Sequence, residues 1–92
     1  MIMPTVHLVI SGKVQGVFYR ATAKEQAEKL KLDGWVKNTK EGTVEILASG
    51  SSQNLLMFTE WCKIGPDGAL VSNVIVTETK EKPEKGFKIV RF

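Results

Sequence analysis

Arg20 closes the stretch Gly12-Lys13-Val14-Gln15-Gly16-Val17-Phe18-Tyr19-Arg20, which holds two glycines, two cations and no carboxylate. The first acidic residue of the chain is Glu25, so Lys13, Arg20 and Lys24 create a locally positive field. The stretch follows a strand-like run and precedes a helical pattern. A glycine loop at that position aims successive backbone N–H groups, and the positive end of a helix, at one point. Gly16 lets the backbone approach a ligand closely. The planar guanidinium of Arg20 matches two oxygens of a phosphate. The apolar Val14, Val17, Phe18 and Tyr19 are expected to pack the outer side of the loop on the core and so fix its N–H groups. A compact tetrahedral anion fits this description better than a polymer does. The alternative is a plain strand-to-helix connection with Arg20 at the surface. Asn38 is the second candidate. It falls at or just past the end of a strand, where its type is unfavourable. It is either a turn former or an amide that holds a water molecule in a fixed direction.

Other chemistries lack their residues. The chain contains neither G-x-x-x-x-G-K-[ST] nor G-x-G-x-x-G. The residue six places after Cys62 is Gly68, not the arginine of a cysteine phosphatase. One cysteine cannot supply the paired thiolates of a metal-carrying domain. The single histidine, His7, lies mid-strand and reads as a surface or half-buried residue rather than a base. An enzyme built on these residues works without an activated side-chain nucleophile, a metal or a cofactor. A net charge of +3 does not call for a nucleic-acid partner. Apolar runs fall far short of the roughly 20 residues of a membrane span, so no membrane partner is expected. The start MIMPTVHLVI lacks a basic region and a small-residue cleavage site. The lone Cys62 excludes an intrachain disulfide and suits a reducing compartment, so the cytoplasm is expected; a monomer is expected as well.

The elements that must position these residues follow from periodicity. Ninety-two residues fit one domain, 1–92, with one core. Val6, Leu8 and Ile10 alternate as in a strand, and 20–31 forms an amphipathic helix with Ala23, Ala27 and Leu30 on one face. After the Asp33-Gly34 turn, 35–48 reads as a hairpin with Val44, Ile46 and Ala48 inward. A second helix follows Ser51-Ser52, carries Leu55, Phe58 and Cys62 on one face, and stops at Gly65-Pro66-Asp67-Gly68. Residues 71–79 are strand-rich, and 87–92 make a short last strand. The order β-α-β-β-α-β plus a final strand predicts an α+β, ferredoxin-like sandwich: one antiparallel sheet, the short C-terminal strand, and two helices on one face.

Taken together, the two segments resemble the acylphosphatase family. The motif G-x-V-Q-G-V-x-[FY]-R is met at every fixed position of 12–20. A second, Gly-aromatic-x-x-Asn-x3-Gly-x-Val-x5-Gly, is met by Gly34, Trp35, Asn38, Gly42, Val44 and Gly50. Gly65-Pro66 and Ala69 agree with a later family segment, so the resemblance covers essentially the whole chain. It implies the ferredoxin-like sandwich and hydrolysis of the carboxyl-phosphate bond of an acyl phosphate, with inorganic phosphate as a further ligand. By the same resemblance Arg20 is the phosphate-binding arginine, and backbone N–H groups of Gln15, Gly16, Val17, Phe18, Tyr19 and Arg20 form the cradle. Asn38 is then the residue that positions the attacking water, with Thr39 supporting it. The chain departs from the family at Leu30-Lys31-Leu32, where glycine is frequent in the middle position. A lysine in a left-handed cap there costs about 1 kcal/mol.

Two other readings use the same topology. One is a non-catalytic, phosphate-binding regulatory domain. The other is an RNA-recognition domain, since Lys85, Gly86, Phe87, Val90 and Phe92 loosely match its aromatic signature. That segment lies on the last strand instead of the third, and Val44, Glu45 and Ile46 offer no ring for a base.

Overall fold

The computed structural model describes residues 3–91. Met1 and Ile2, part of the N-terminal run read for a leader, lie outside them, as does Phe92, the end of the predicted last strand. The elements are β1 (Thr5–Lys13), α1 (Tyr19–Lys29), β2 (Asp33–Asn38), β3 (Val44–Ser49), α2 (Ser52–Cys62), β4 (Leu70–Thr79) and β5 (Phe87–Val90). They form one sheet in the order β4-β1-β3-β2-β5. β1 pairs antiparallel with both β3 and β4, and β2 antiparallel with β3. Each helix therefore crosses over one intervening strand, which is the split βαβ of a ferredoxin-like sandwich. β5 adds to the edge parallel to β2, so the complete sheet is mixed.

Alternation along the strands decides which face is buried. Leu8 and Ile10 of β1, Val36 of β2, and Val44, Ile46 and Ala48 of β3 form one cluster with Tyr19, Ala23 and Ala27 of α1 and Leu55, Phe58 and Cys62 of α2. Both helices thus cover the same face. The predicted inward residues match this cluster, except that Val6 and Leu30 are only partly buried. Burial pushes the Cys62 thiol up to about 12, against an opposing contribution from the Tyr19 hydroxyl. It is a core residue.

The Asp33-Gly34 pair predicted as a turn opens β2 instead, and three further features shift for a visible reason. β1 runs past Ile10 to Lys13, with a register shift between Ser11 and Gly12. Gly12 has φ 122°, and a Cβ there would collide with the Leu70 carbonyl oxygen of β4. The extra residue is Ser72 of β4, so Gly12 lies opposite a bulge inside the sheet, and the loop begins only at Val14. Second, α1 starts at Tyr19 and ends at Lys29. Tyr19 thus joins Arg20 in its first turn, one residue earlier than predicted. Third, the helix closes with Lys31 N–H donating to the Glu28 carbonyl (3.1 Å) and Leu32 N–H to the Ala27 carbonyl (2.9 Å). This is a Schellman closure with Lys31 in the left-handed position, φ 56°. The side-chain amide of Asn54 donates to the Leu30 carbonyl (2.9 Å), so the start of α2 satisfies the end of α1. The backbone N–H of Asn54 is itself capped by the Ser51 hydroxyl (3.2 Å).

Lys31→Gly relieves the left-handed strain but loosens the unfolded chain, so a net gain of about 0.5–1 kcal/mol is expected. Urea denaturation measures it; an unchanged or lowered midpoint contradicts the strain assigned to Lys31.

Candidate active site

A cleft of about 320 Å³ opens where the β1–α1 loop meets the ends of β2 and β5. It is lined by Val14, Gly16, Phe18, Tyr19, Arg20, Ala21, Asn38, Ile89 and Arg91. Five of the seven residues singled out from sequence thus meet at one place. Gln15 and Val17 do not line it.

The loop from Gln15 to Phe18 has an alternating backbone. Gly16 (φ 76°) and Phe18 (φ 63°) are left-handed, with Val17 between them. Such alternation turns consecutive N–H groups toward one concavity. None of the N–H groups from Gly16 to Arg20 donates to another described backbone group. Phe18 is the N-cap residue of α1, and its carbonyl accepts from the Thr22 N–H (3.1 Å) and the Thr22 hydroxyl (2.9 Å). The helix therefore begins at the loop's edge with its positive end facing the concavity.

Two anchors fix this loop. Tyr19 is 1% exposed; its ring lies 5.4 Å from that of Trp61, and its hydroxyl donates to the Cys62 carbonyl (2.8 Å). Burial raises the Tyr19 hydroxyl far above the ordinary tyrosine range, so it stays a donor. The second anchor is the Gln15 side chain. Its Nε2 donates to the carbonyls of Thr39 (2.9 Å) and Thr43 (2.8 Å), which ties the loop to the β2–β3 turn. The expectation that all four apolar residues pack inward holds for Val14 and Tyr19, and partly for Val17. It fails for Phe18, whose ring is 83% exposed. The left-handed backbone turns its Cβ away from the core.

Asn38 ends β2, opposite Val44. Its Oδ1 is buried and accepts no hydrogen bond from the described residues. Leaving such an atom without a partner is costly. Thr39 closes the turn that follows. Its hydroxyl lies 2.6 Å from that of Thr43, and its N–H donates to the Thr43 carbonyl (3.0 Å). Thr39 thus holds the turn next to Asn38; its hydrogen bonds go to Thr43, Gly42 and Gln15 and not to the Asn38 amide.

Sequence reasoning missed Arg91 and Ile89. β5 pairs with β2 in the register Val36–Ile89 and Lys37–Val90. Carried one residue further, that register sets Arg91 beside Asn38. The signal was present in β5 itself, where Ile89 and Arg91 alternate, but only the parallel pairing reveals which side of the molecule they reach. No described carboxylate lies within ion-pair distance of Arg20 or Arg91. The cleft accordingly presents two cations.

His7 plays no part there. It lies on the sheet face away from the helices, where its Nε2 donates to Glu45. Burial alone would raise the Glu45 carboxyl, but His7 and Lys37 outweigh it and hold the group below its usual range. Among the described residues no group of three or more His, Cys, Asp or Glu could hold a metal ion. No helix is long and apolar enough to cross a membrane. Segment 85–90 lies on the sheet edge, far from the central strands on which an RNA-recognition signature would sit.

Comparison with known proteins shows the family and the fold. The acylphosphatase family model matches residues 6–89. An acylphosphatase from Coxiella burnetii is 43% identical over 84 residues, covering 91% of this chain and 88% of the relative. One from Marinobacter nauticus is 49% identical over 72 residues, 78% of each chain. The crystal structure of acylphosphatase from Bacillus subtilis superposes with a TM-score of 0.92 at 39% identity, covering 97% of this chain and all of that one. With that match over residues 6–89 and relatives of this identity and coverage, the chain belongs to the acylphosphatase family.

Proposed function

We propose that this chain hydrolyses acyl phosphates to a carboxylate and inorganic phosphate by direct attack of water. The observation that carries the reading is Asn38 lining the same cleft as Arg20 and the N–H loop, with its buried Oδ1 left unpartnered. In this mechanism the phosphate sits in the concavity of residues 15–20, with Arg20 bidentate on two of its oxygens. The Asn38 side-chain amide hydrogen-bonds the water and directs its oxygen at phosphorus. A bond forms between the water oxygen and phosphorus. The bond from phosphorus to the carboxylate oxygen breaks, and its electron pair leaves with the carboxylate. The water proton passes to a phosphate oxygen.

The residues present suit this reaction in particular. A carboxylate leaving group, whose conjugate acid has a pKa near ~4, needs no general acid. Charge neutralisation and positioning then supply the catalysis, and the cleft offers two cations and a row of N–H groups for them. The reading requires neither a metal nor a covalent intermediate. The buried lone cysteine suits a reducing compartment such as the cytoplasm.

Benzoyl phosphate hydrolysis in EDTA tests the proposal. Loss of substrate well above the buffer rate is expected; phosphate binding without turnover would favour the regulatory-domain reading instead. Arg20→Gln is expected to lower kcat/KM by about 10²–10³-fold and to weaken inhibition by inorganic phosphate in parallel. Asn38→Ala should lower kcat by about 10²-fold while phosphate inhibition stays within about twofold. Equal loss of both in Asn38→Ala contradicts the water-positioning role. Gln15→Ala removes both donors to the turn and is expected to lower stability by about 1–2 kcal/mol. It should also lower kcat, since Asn38 then drifts against Arg20. A variant that loses stability and keeps its full kcat shows that the tether holds the fold alone.

A further inference from the structure

Phe18 is the one member of the N–H loop whose side chain the fold leaves in water. Its ring is 83% exposed on the rim of the cleft, and Ile89, half-buried, lines the same cleft from β5. The backbone at Phe18 is left-handed, a conformation unfavourable for any residue with a Cβ and suited to glycine or asparagine. It is also pinned there by both Thr22 donors to its carbonyl. An aromatic ring at this position gains nothing from core packing and keeps a strained backbone. Strain and exposed apolar surface kept together at the edge of a site indicate a ligand contact.

We propose that Phe18 is a specificity-determining residue: its ring, with Ile89, forms an apolar wall for the acyl group, and selects acyl phosphates with an aromatic or other flat apolar acyl part over acetyl phosphate. The inference rests on the hydrolase reading above. With the phosphoryl group seated against the N–H groups, the acyl group has to extend outward past the rim. Phe18 is the large apolar side chain that stands there. Arg20 and Asn38 act on atoms that every acyl phosphate shares and so cannot make this distinction; a wall that touches only the acyl part can.

The experiment compares wild type, Phe18→Ala and Phe18→Tyr. Alanine keeps a Cβ, and with it the left-handed strain, so the comparison isolates the ring. The first readout is the ratio of kcat/KM for benzoyl phosphate to that for acetyl phosphate, which cancels any effect on the shared phosphate seat. The second is calorimetric affinity for phenylphosphonate relative to methylphosphonate, which needs no turnover. Phe18→Ala is expected to lower both ratios by about 10-fold, the scale of a small apolar group in a pocket, and Phe18→Tyr to restore them. Ratios that stay at the wild-type value in Phe18→Ala, whatever happens to absolute rates, overturn the proposal. If wild type hydrolyses neither acyl phosphate yet binds phenylphosphonate more tightly through Phe18, the hydrolase reading fails and the apolar wall stands.

Discussion

The two hydrogen bonds from the Gln15 amide to the carbonyls of Thr39 and Thr43 set the relation between the two halves of the cleft. Arg20 stands at the start of α1, and Asn38 at the end of β2, a strand that is not the neighbour of β1 in the sheet. Nothing in the β1–α1 connection by itself fixes one against the other. The Gln15 amide does so because it owns two donors and spends both on one turn. From that turn Asn38 is one residue away, and from Gln15 the guanidinium is five. A hydroxyl in place of the amide has one donor and a shorter reach. An ammonium could reach, but would add a charge to atoms that are already partly buried.

Below this tether the cleft is continuous with the core. Tyr19 is buried against Trp61 and bonded to the end of α2, and Arg20 is the next residue of the same helical turn. Packing energy gathered by the aromatic cluster of Tyr19, Trp61, Phe58 and Phe87 therefore holds the loop where local energetics would not. The left-handed Phe18 costs about 1–2 kcal/mol. The rigid helix end against which it stands offsets that cost by leaving the loop no cheaper route from β1.

Much of this was legible in the chain, and what was not has a common cause. Arg20 and the glycine loop could be read because a cation, a flexible backbone and a helix start lie within a few residues of one another. Asn38 stood out through a conflict between its type and its position. Both helices, the hairpin and the buried faces followed from spacing alone. Contacts between segments that no local pattern links were different. The partners of Gln15, 24 and 28 residues away, leave no trace near Gln15. Arg91 reaches the cleft only through the parallel pairing of β5 with β2, and a four-residue strand gives no hint of its partner. The sequence pattern ends β1 too early because Gly12 has the type of a loop residue, whereas the Leu70 carbonyl of β4 occupies the space a Cβ would need there. Phe18 was misassigned because apolar type was equated with burial, whereas a left-handed backbone reverses the direction of the side chain.

The small size of the fold also explains the kind of site it builds. A general acid or base with a shifted pKa needs a buried charge, and a buried charge needs a second shell of partners to hold it. With about seven elements and one core, such a shell would displace the packing on which stability depends. Backbone N–H groups avoid the problem. They carry no side-chain entropy, they are unpaired in the first turn of any helix, and a left-handed residue is enough to aim them. Two arginines at the rim add charge while keeping their guanidinium groups near water, where desolvation is mild. A site made this way stabilises an anion strongly and moves protons poorly. Under the proposed reading it suits a reaction in which the leaving group departs as a stable anion, and not a phosphate ester, whose alkoxide would need a proton that no described residue lining the cleft is placed to give.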